Sequence, residues 1–256
     1  MSVQVLNTHR AAALALMLGL AAVSTRAAEP PPTVDLALVL AIDSSASIDD
    51  GEYALQMAGI AAAFRDRAVW DAIGSGPTGR IAVAAFIWAQ SGWPEAATPW
   101  FVLDGPDRAE AFAATVERFP RSIEGGTGIG SAVMYGVRLI DESGLAATRR
   151  VIDLFGDGKE TVFREWRVTP GQARFVATAR GVTVNGLAIL DEEPALDLYY
   201  RDNVIAGPNA FVMTAGSIAD FARAMREKLL REIEYQPVVG RSRDIPSTGG
   251  HRAGAG

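Results

Sequence analysis

Three short stretches of this 256-residue chain concentrate side chains able to do chemistry. They are Asp43-Ser44-Ser45-Ala46-Ser47, Gly125-Gly126-Thr127-Gly128-Ile129-Gly130 and Gly156-Asp157-Gly158. Together they offer Asp43, Ser45, Ser47, Thr127 and Asp157: two carboxylates and three hydroxyls. All five are hard oxygen donors, the kind of set that Mg²⁺ takes while keeping some of its waters. The spacing of two in D-x-S-x-S lets alternate side chains of a turn face one point. Glycines around Thr127 and Asp157 let backbone approach closely without a Cβ.

Each stretch also has an ordinary reading. Ser47 could cap a following helix, with Asp50 acting as a capping-box acid, and Asp49 could cap it equally well. Gly126-x-Gly128-x-Gly130 invites a phosphate-loop reading, but it lacks the Lys-Ser/Thr pair and the strict G-x-G-x-x-G spacing. Gly156-Asp157-Gly158 could be a plain turn, since Asp-Gly is a common turn pair. Capping leaves Asp43 unexplained at the end of an apolar strand. The joint pattern is stronger than any of its parts.

Composition removes most rival chemistries. There is no Cys, so no disulfide, zinc-thiolate site or thiol nucleophile is possible. The two His, His9 and His251, lie near the chain ends, away from any central triad or His-rich metal site. Twenty-four basic residues against 30 acidic ones, with no basic stripe, exclude nucleic acid as an expected partner.

The elements that must position the donors alternate strand and helix. Val34–Ile42 is apolar at eight of nine positions and reads as a strand buried on both faces. A helix over Glu52–Trp70 follows, with Tyr53, Met57, Ile60 and Phe64 on one stripe. Ile81–Trp88 and Thr98–Leu103 read as an antiparallel hairpin pair around Ser91–Pro94. Trp88, Trp93 and Trp100 cluster there and are expected to pack in the core or at its edge. Helices are expected over Asp107–Phe119, Ile129–Ile140, Pro170–Arg180 and Ser217–Ile233, the last with Ile218, Phe221, Met225 and Leu229 inward. Strands are expected over Arg150–Phe155, Val182–Leu190 and Ala210–Thr214, and Asp191-Glu192-Glu193 reads as a solvated loop. The expected fold class is α/β: a single doubly wound, mostly parallel open sheet with helices on both faces. In such sheets ligands bind beyond the carboxyl ends of the strands, where Asp43 and Asp157 fall.

The ends of the chain read differently. Residues 1–27 resemble a secretory signal: His9 and Arg10, an apolar run over Ala11–Val23, then small residues. Thirteen apolar residues fall short of the roughly 20 that span a bilayer. Residues 28–33 are a Pro-rich linker, 34–235 the folded domain, and 236–256 a disordered tail rich in Pro, Gly, Ser and Arg. The expectation is a periplasmic or secreted protein with no membrane span in its mature chain. Loss of the leader would also remove Arg10 and Arg26 and leave the chain two units more negative than its formal −6.

The pattern resembles the von Willebrand factor type A (vWA) domain. In that family a metal-ion-dependent adhesion site consists of D-x-S-x-S, a later Thr in a Gly-rich loop and a later Asp in a D-G context. Asp43, Ser45 and Ser47 match the first element, Thr127 the second and Asp157 the third. The resemblance covers residues 34–235, extends to the hairpin and the long final helix, and is also to an uncharacterised exported bacterial subfamily. It implies a doubly wound sheet with one antiparallel edge strand and a Mg²⁺ or Mn²⁺ at its carboxyl edge. It further implies a non-enzymatic module whose metal receives an Asp or Glu of an unidentified partner protein. The segment Lys159–Trp166 is less rich in small polar residues than many adhesion members, so Trp166 becomes a candidate rim residue. A metal-dependent hydrolase on the same residues and a structural domain with a vestigial site stay open as competing readings.

Overall fold

In the computed structural model, residues 31–90, 96–161 and 168–234 are described. The chain divides into Met1–Pro30 and Pro31–Gly256. The expected leader (1–27), the first half of the linker (28–33), the hairpin turn with Trp93, the rim candidate Trp166 and the tail (236–256) lie outside the described residues.

Six strands form one sheet in the order β3-β2-β1-β4-β5-β6. They are β1 (Thr33–Asp43), β2 (Ile81–Trp88), β3 (Phe101–Leu103), β4 (Ala146–Gly156), β5 (Thr183–Ile189) and β6 (Val212–Ala215). β3 is antiparallel to β2, pairing Ile81 with Leu103, and every other neighbour is parallel. The expected fold class stands, antiparallel edge included. β3 is shorter than the expected Thr98–Leu103, but Thr98 still donates its N–H to Ala85 and Ala97 bridges Phe86.

β1 lies at the centre and is buried from Val34 to Asp43. Its period-2 alternation serves two cores. Leu36, Leu38, Leu40 and Ile42 face one, with α1 (Asp50–Arg65), α2 (Arg67–Gly74), α3 (Pro106–Glu117) and α7 (Phe221–Ile233). Val39 and Ala41 face the other, with α4 (Ile129–Glu142), α5 (Pro170–Ala179) and α6 (Leu196–Asn203). That alternation explains why β1 reads as a continuous apolar run. Trp88 is buried in the second core and Trp100 packs against it.

Two expectations need correction. The helix expected over Glu52–Trp70 is two helices that meet at Asp66. Asp66 is extended; it accepts from the Ala68 N–H at 2.8 Å to start α2 and pairs with Arg226 of α7 at 2.5 Å. Apolar periodicity runs through this joint because both helices bury their stripes in the same core. Helix α6 is the second correction, since eight residues give too few apolar positions to show a period. Asp191 and Glu192 are exposed, as expected of that loop. The final helix is preceded by a 3₁₀ turn over Ile218–Asp220, and Phe221, Met225 and Leu229 are buried.

A charged cluster lies between α7 and the sheet. Lys228 contacts Asp153 of β4 and lies 2.6 Å from Glu232 Oε1. Asn185 of β5 donates to the same Glu232 oxygen at 2.7 Å. Arg149 of β4 donates to the backbone carbonyls of Glu232 (2.7 Å) and Ile233 (3.1 Å), capping the end of α7. Lys228, Asp153, Asn185 and Glu232 are all buried. Among the described residues, no helix is long and apolar enough to cross a membrane.

Candidate functional site

The strand order reverses direction between β1 and β4, and the crevice beyond their carboxyl ends is where open α/β sheets hold ligands. Asp43 ends β1, Asp157 follows β4, and Thr127 stands just before α4. Asp43 is fully buried, and its Oδ1 accepts from the Ser45 N–H at 2.8 Å. That local turn bends the chain off the strand and brings the Ser45 and Ser47 hydroxyls within 3.2 Å. Ser47 Oγ donates to Asp157 Oδ1 at 2.8 Å, across 110 residues of sequence. Thr127 Oγ1 lies 3.3 Å from the position a Cβ on Gly158 would take, so it approaches the Asp157 loop at close range. The structure thus brings all five sequence-predicted residues to one crevice.

Several supporting residues were missed by sequence reasoning. Arg121, in the loop after α3, donates to Ile48 O (2.5 Å), Ser45 O (3.3 Å) and Ser44 Oγ (3.3 Å), and pairs with Asp50 (2.8 Å). It clamps the whole D-x-S-x-S turn. Ala46 N–H donates to Gly125 O at 2.7 Å, which ties that turn to the Gly-rich loop. Thr127 exchanges two bonds with Thr161: its N–H donates to Thr161 Oγ1 at 2.8 Å, and its carbonyl accepts from Thr161 N at 2.9 Å. Gln90 Oε1 accepts from Gly126 N at 3.0 Å. Lone polar residues in loops carry no periodicity or motif, so no local signal marked them.

The ordinary readings resolve in the geometry. Asp49, not Ser47, caps α1, and Glu52 closes the capping box. Ser47 is thereby left to face Asp157. The phosphate-loop reading fails, because the Gly130 N–H at the start of α4 already donates to the Glu160 carboxylate at 3.0 Å.

The electrostatics ask for a cation. Burial, and then the charge of Asp157, pushes the Asp43 carboxyl up to about 7. Asp157 is also raised, chiefly by burial, against the Ser47 hydrogen bond. Asp43 Oδ2 is buried without a hydrogen-bond partner. Two buried like charges need a proton or a positive ion, and a divalent cation would serve both carboxylates. Among the described residues no group of three or more His, Cys, Asp or Glu is placed to hold a metal. The oxygen donors gathered here are three hydroxyls and two carboxylates, a set that suits a hard ion.

A family model described as a protein of unknown function, DUF1194, matches residues 33–237. No curated protein matches the chain. Among solved structures it is similar to the pilus adhesin SpaC from Lactobacillus rhamnosus GG, at 14% identity and a TM-score of 0.56, over 78% of this chain and 30% of that one. It is also similar to a von Willebrand factor type A protein from Catenulispora acidiphila, at 19% identity and a TM-score of 0.52, over 78% and 43%. The chain spans less than half the length of either structure. At such identities the likeness is one of fold, and the fold is that of the vWA domain.

Proposed function

This chain belongs to the DUF1194 family, and we propose that it is an exported, divalent-cation-dependent protein-binding module. Asp43, Ser45, Ser47, Thr127 and Asp157 are the metal residues of this reading, and Mg²⁺ or Mn²⁺ is the ion. The observation that carries it is their convergence from three loops onto one crevice that holds two buried, raised carboxylates. When bound, the cation supplies a Lewis-acidic position for a carboxylate of a partner protein. The chain's own residues set that up. Ser45, Ser47 and Thr127 are neutral donors, so much of the ion's charge stays available for an incoming Asp or Glu. Asp43 and Asp157 provide the charge that retains the ion. Arg121, Thr161 and Gln90 hold the three loops in register.

A binding role fits this donor set better than hydrolysis. Two-metal hydrolysis wants a denser group of carboxylates and His. Of the other acids on these strands, Asp153 is engaged by Lys228 of α7, and Asp35 lies near the start of β1, where it accepts from the Thr78 N–H. Export is proposed on the leader-like residues 1–27 and on the fold shared with a pilus adhesin.

Thermal unfolding with added Mn²⁺ tests the metal residues. At a ligand concentration of about 100 Kd the folded state gains about 2.7 kcal/mol, which raises the Tm of a domain this size by about 5–10 °C. Thr127→Ala should abolish that rise. An equal rise in the variant, or none in the parent, overturns the assignment. Partner capture by wild type and Asp43→Ala, each with and without EDTA, tests the binding role, and equal recovery throughout defeats it.

A further inference from the structure

The inner wall of the crevice carries polar groups that the five donors do not explain. A Cβ built on Gly156, the last residue of β4, would lie 2.6 Å from the Tyr200 hydroxyl, 2.7 Å from Asp43 Oδ2 and 3.4 Å from Trp88 Cζ2. Tyr200 and Asp43 are 0% exposed and Trp88 is 1% exposed. Tyr200 Oη, Trp88 Nε1 and Asp43 Oδ2 are buried, and each lacks a hydrogen-bond partner. Buried polar groups are almost always satisfied, so two orphan donors beside one orphan acceptor have complementary needs. The fold also makes room for the tyrosine. A Cβ on Gly186 of β5 would lie 2.7 Å from Tyr200 Cδ2, so glycines on two adjacent strands leave a slot for its ring.

We propose that Tyr200, with Trp88 beside it, is a positioning residue of the metal centre, its hydroxyl serving as the donor that holds Asp43 Oδ2. This inference rests on the metal reading above. A hydrogen bond to a metal-binding carboxylate fixes the direction in which it presents its charge, and loss of such a bond typically weakens metal affinity about 10–100-fold. Helix α6 delivers Tyr200 from the side opposite α7, from a segment that contains none of the three motifs.

The test uses the full chain. Mn²⁺ affinity is measured by titration calorimetry, and metal-free melting by circular dichroism, for the parent, Tyr200→Phe and Trp88→Phe. Tyr200→Phe should weaken Mn²⁺ binding about tenfold while the metal-free Tm holds or rises, since the ring still fills its slot and an orphan hydroxyl is gone. Trp88→Phe should act in the same direction by a smaller factor, and it carries the test if Tyr200→Phe does not fold. A fall in Tm with unchanged affinity overturns the proposal, because it marks a purely structural role. Parent binding with unaltered affinity in both variants defeats the positioning role of Tyr200 and Trp88 and leaves the metal reading standing. Absence of Mn²⁺ binding by the parent overturns the metal reading itself.

Discussion

Replacing Lys228 with Met keeps most of the volume of a fully buried side chain and removes one charge. Its partners Asp153 and Glu232 are then two buried carboxylates without a cation between them. Breaking a buried ion pair by removing one member costs about 3–5 kcal/mol. For a domain of this size each kcal/mol lowers Tm by roughly 2–4 °C, so the expected loss is about 6–20 °C. The loss must depend on pH. The Asp153 carboxyl is raised by burial and by Glu232, and lowered by Lys228. A carboxyl raised in the folded state contributes its stability below its unfolded value, and that contribution is lost as pH climbs through the folded value. Without Lys228 the carboxyl rises further, so the loss continues to higher pH. Thermal unfolding at about pH 5 and about pH 8 should therefore show the larger gap between parent and variant at the higher pH. Adding Asp153→Leu to Lys228→Met should recover a good part of the loss, because one charge then leaves with the other. A variant that melts within about 2 °C of the parent at the higher pH would refute the charge argument. An equal loss at both pH values would refute it too, and would assign the effect to packing.

Two further outcomes follow from the loops around the crevice. Gly130→Ala should destabilise by at least about 1–3 kcal/mol in urea unfolding, because the new Cβ would meet Val168 O and lie 2.7 Å from the Thr169 carbonyl carbon. Arg121→Ala removes the clamp on the D-x-S-x-S turn, a charged donor group worth about 1.5–3 kcal/mol. It should lower Tm and weaken Mn²⁺ binding together, whereas an unchanged affinity would show that the turn holds its shape without the arginine.

The sheet was legible because its central strands are buried on both faces and read as continuous apolar runs. Five site residues were legible for a related reason: they fall at strand ends or in a Gly-framed loop, and their types share one chemistry. Other features left no trace in local pattern. The joint at Asp66 is hidden because α1 and α2 continue one apolar stripe into one core. Arg121 acts through hydrogen bonds to groups more than 70 residues away, and no local spacing encodes such a contact. Asp153 sits inside an apolar strand, and its partner lies on α7, 75 residues on, in a lysine whose complete burial no local pattern encodes.

Arg149 fastens the carbonyls of Glu232 and Ile233 to β4, and the buried lysine one turn earlier is seated on the same strand. The C-terminal end of α7 is thereby tethered to β4 by two electrostatic anchors as well as by its apolar face. That strand is flanked by hydrogen-bonded neighbours on both sides and ends beside Asp157. One strand thus ties down the last helix at one end of the sheet and leads into a crevice carboxylate at the other.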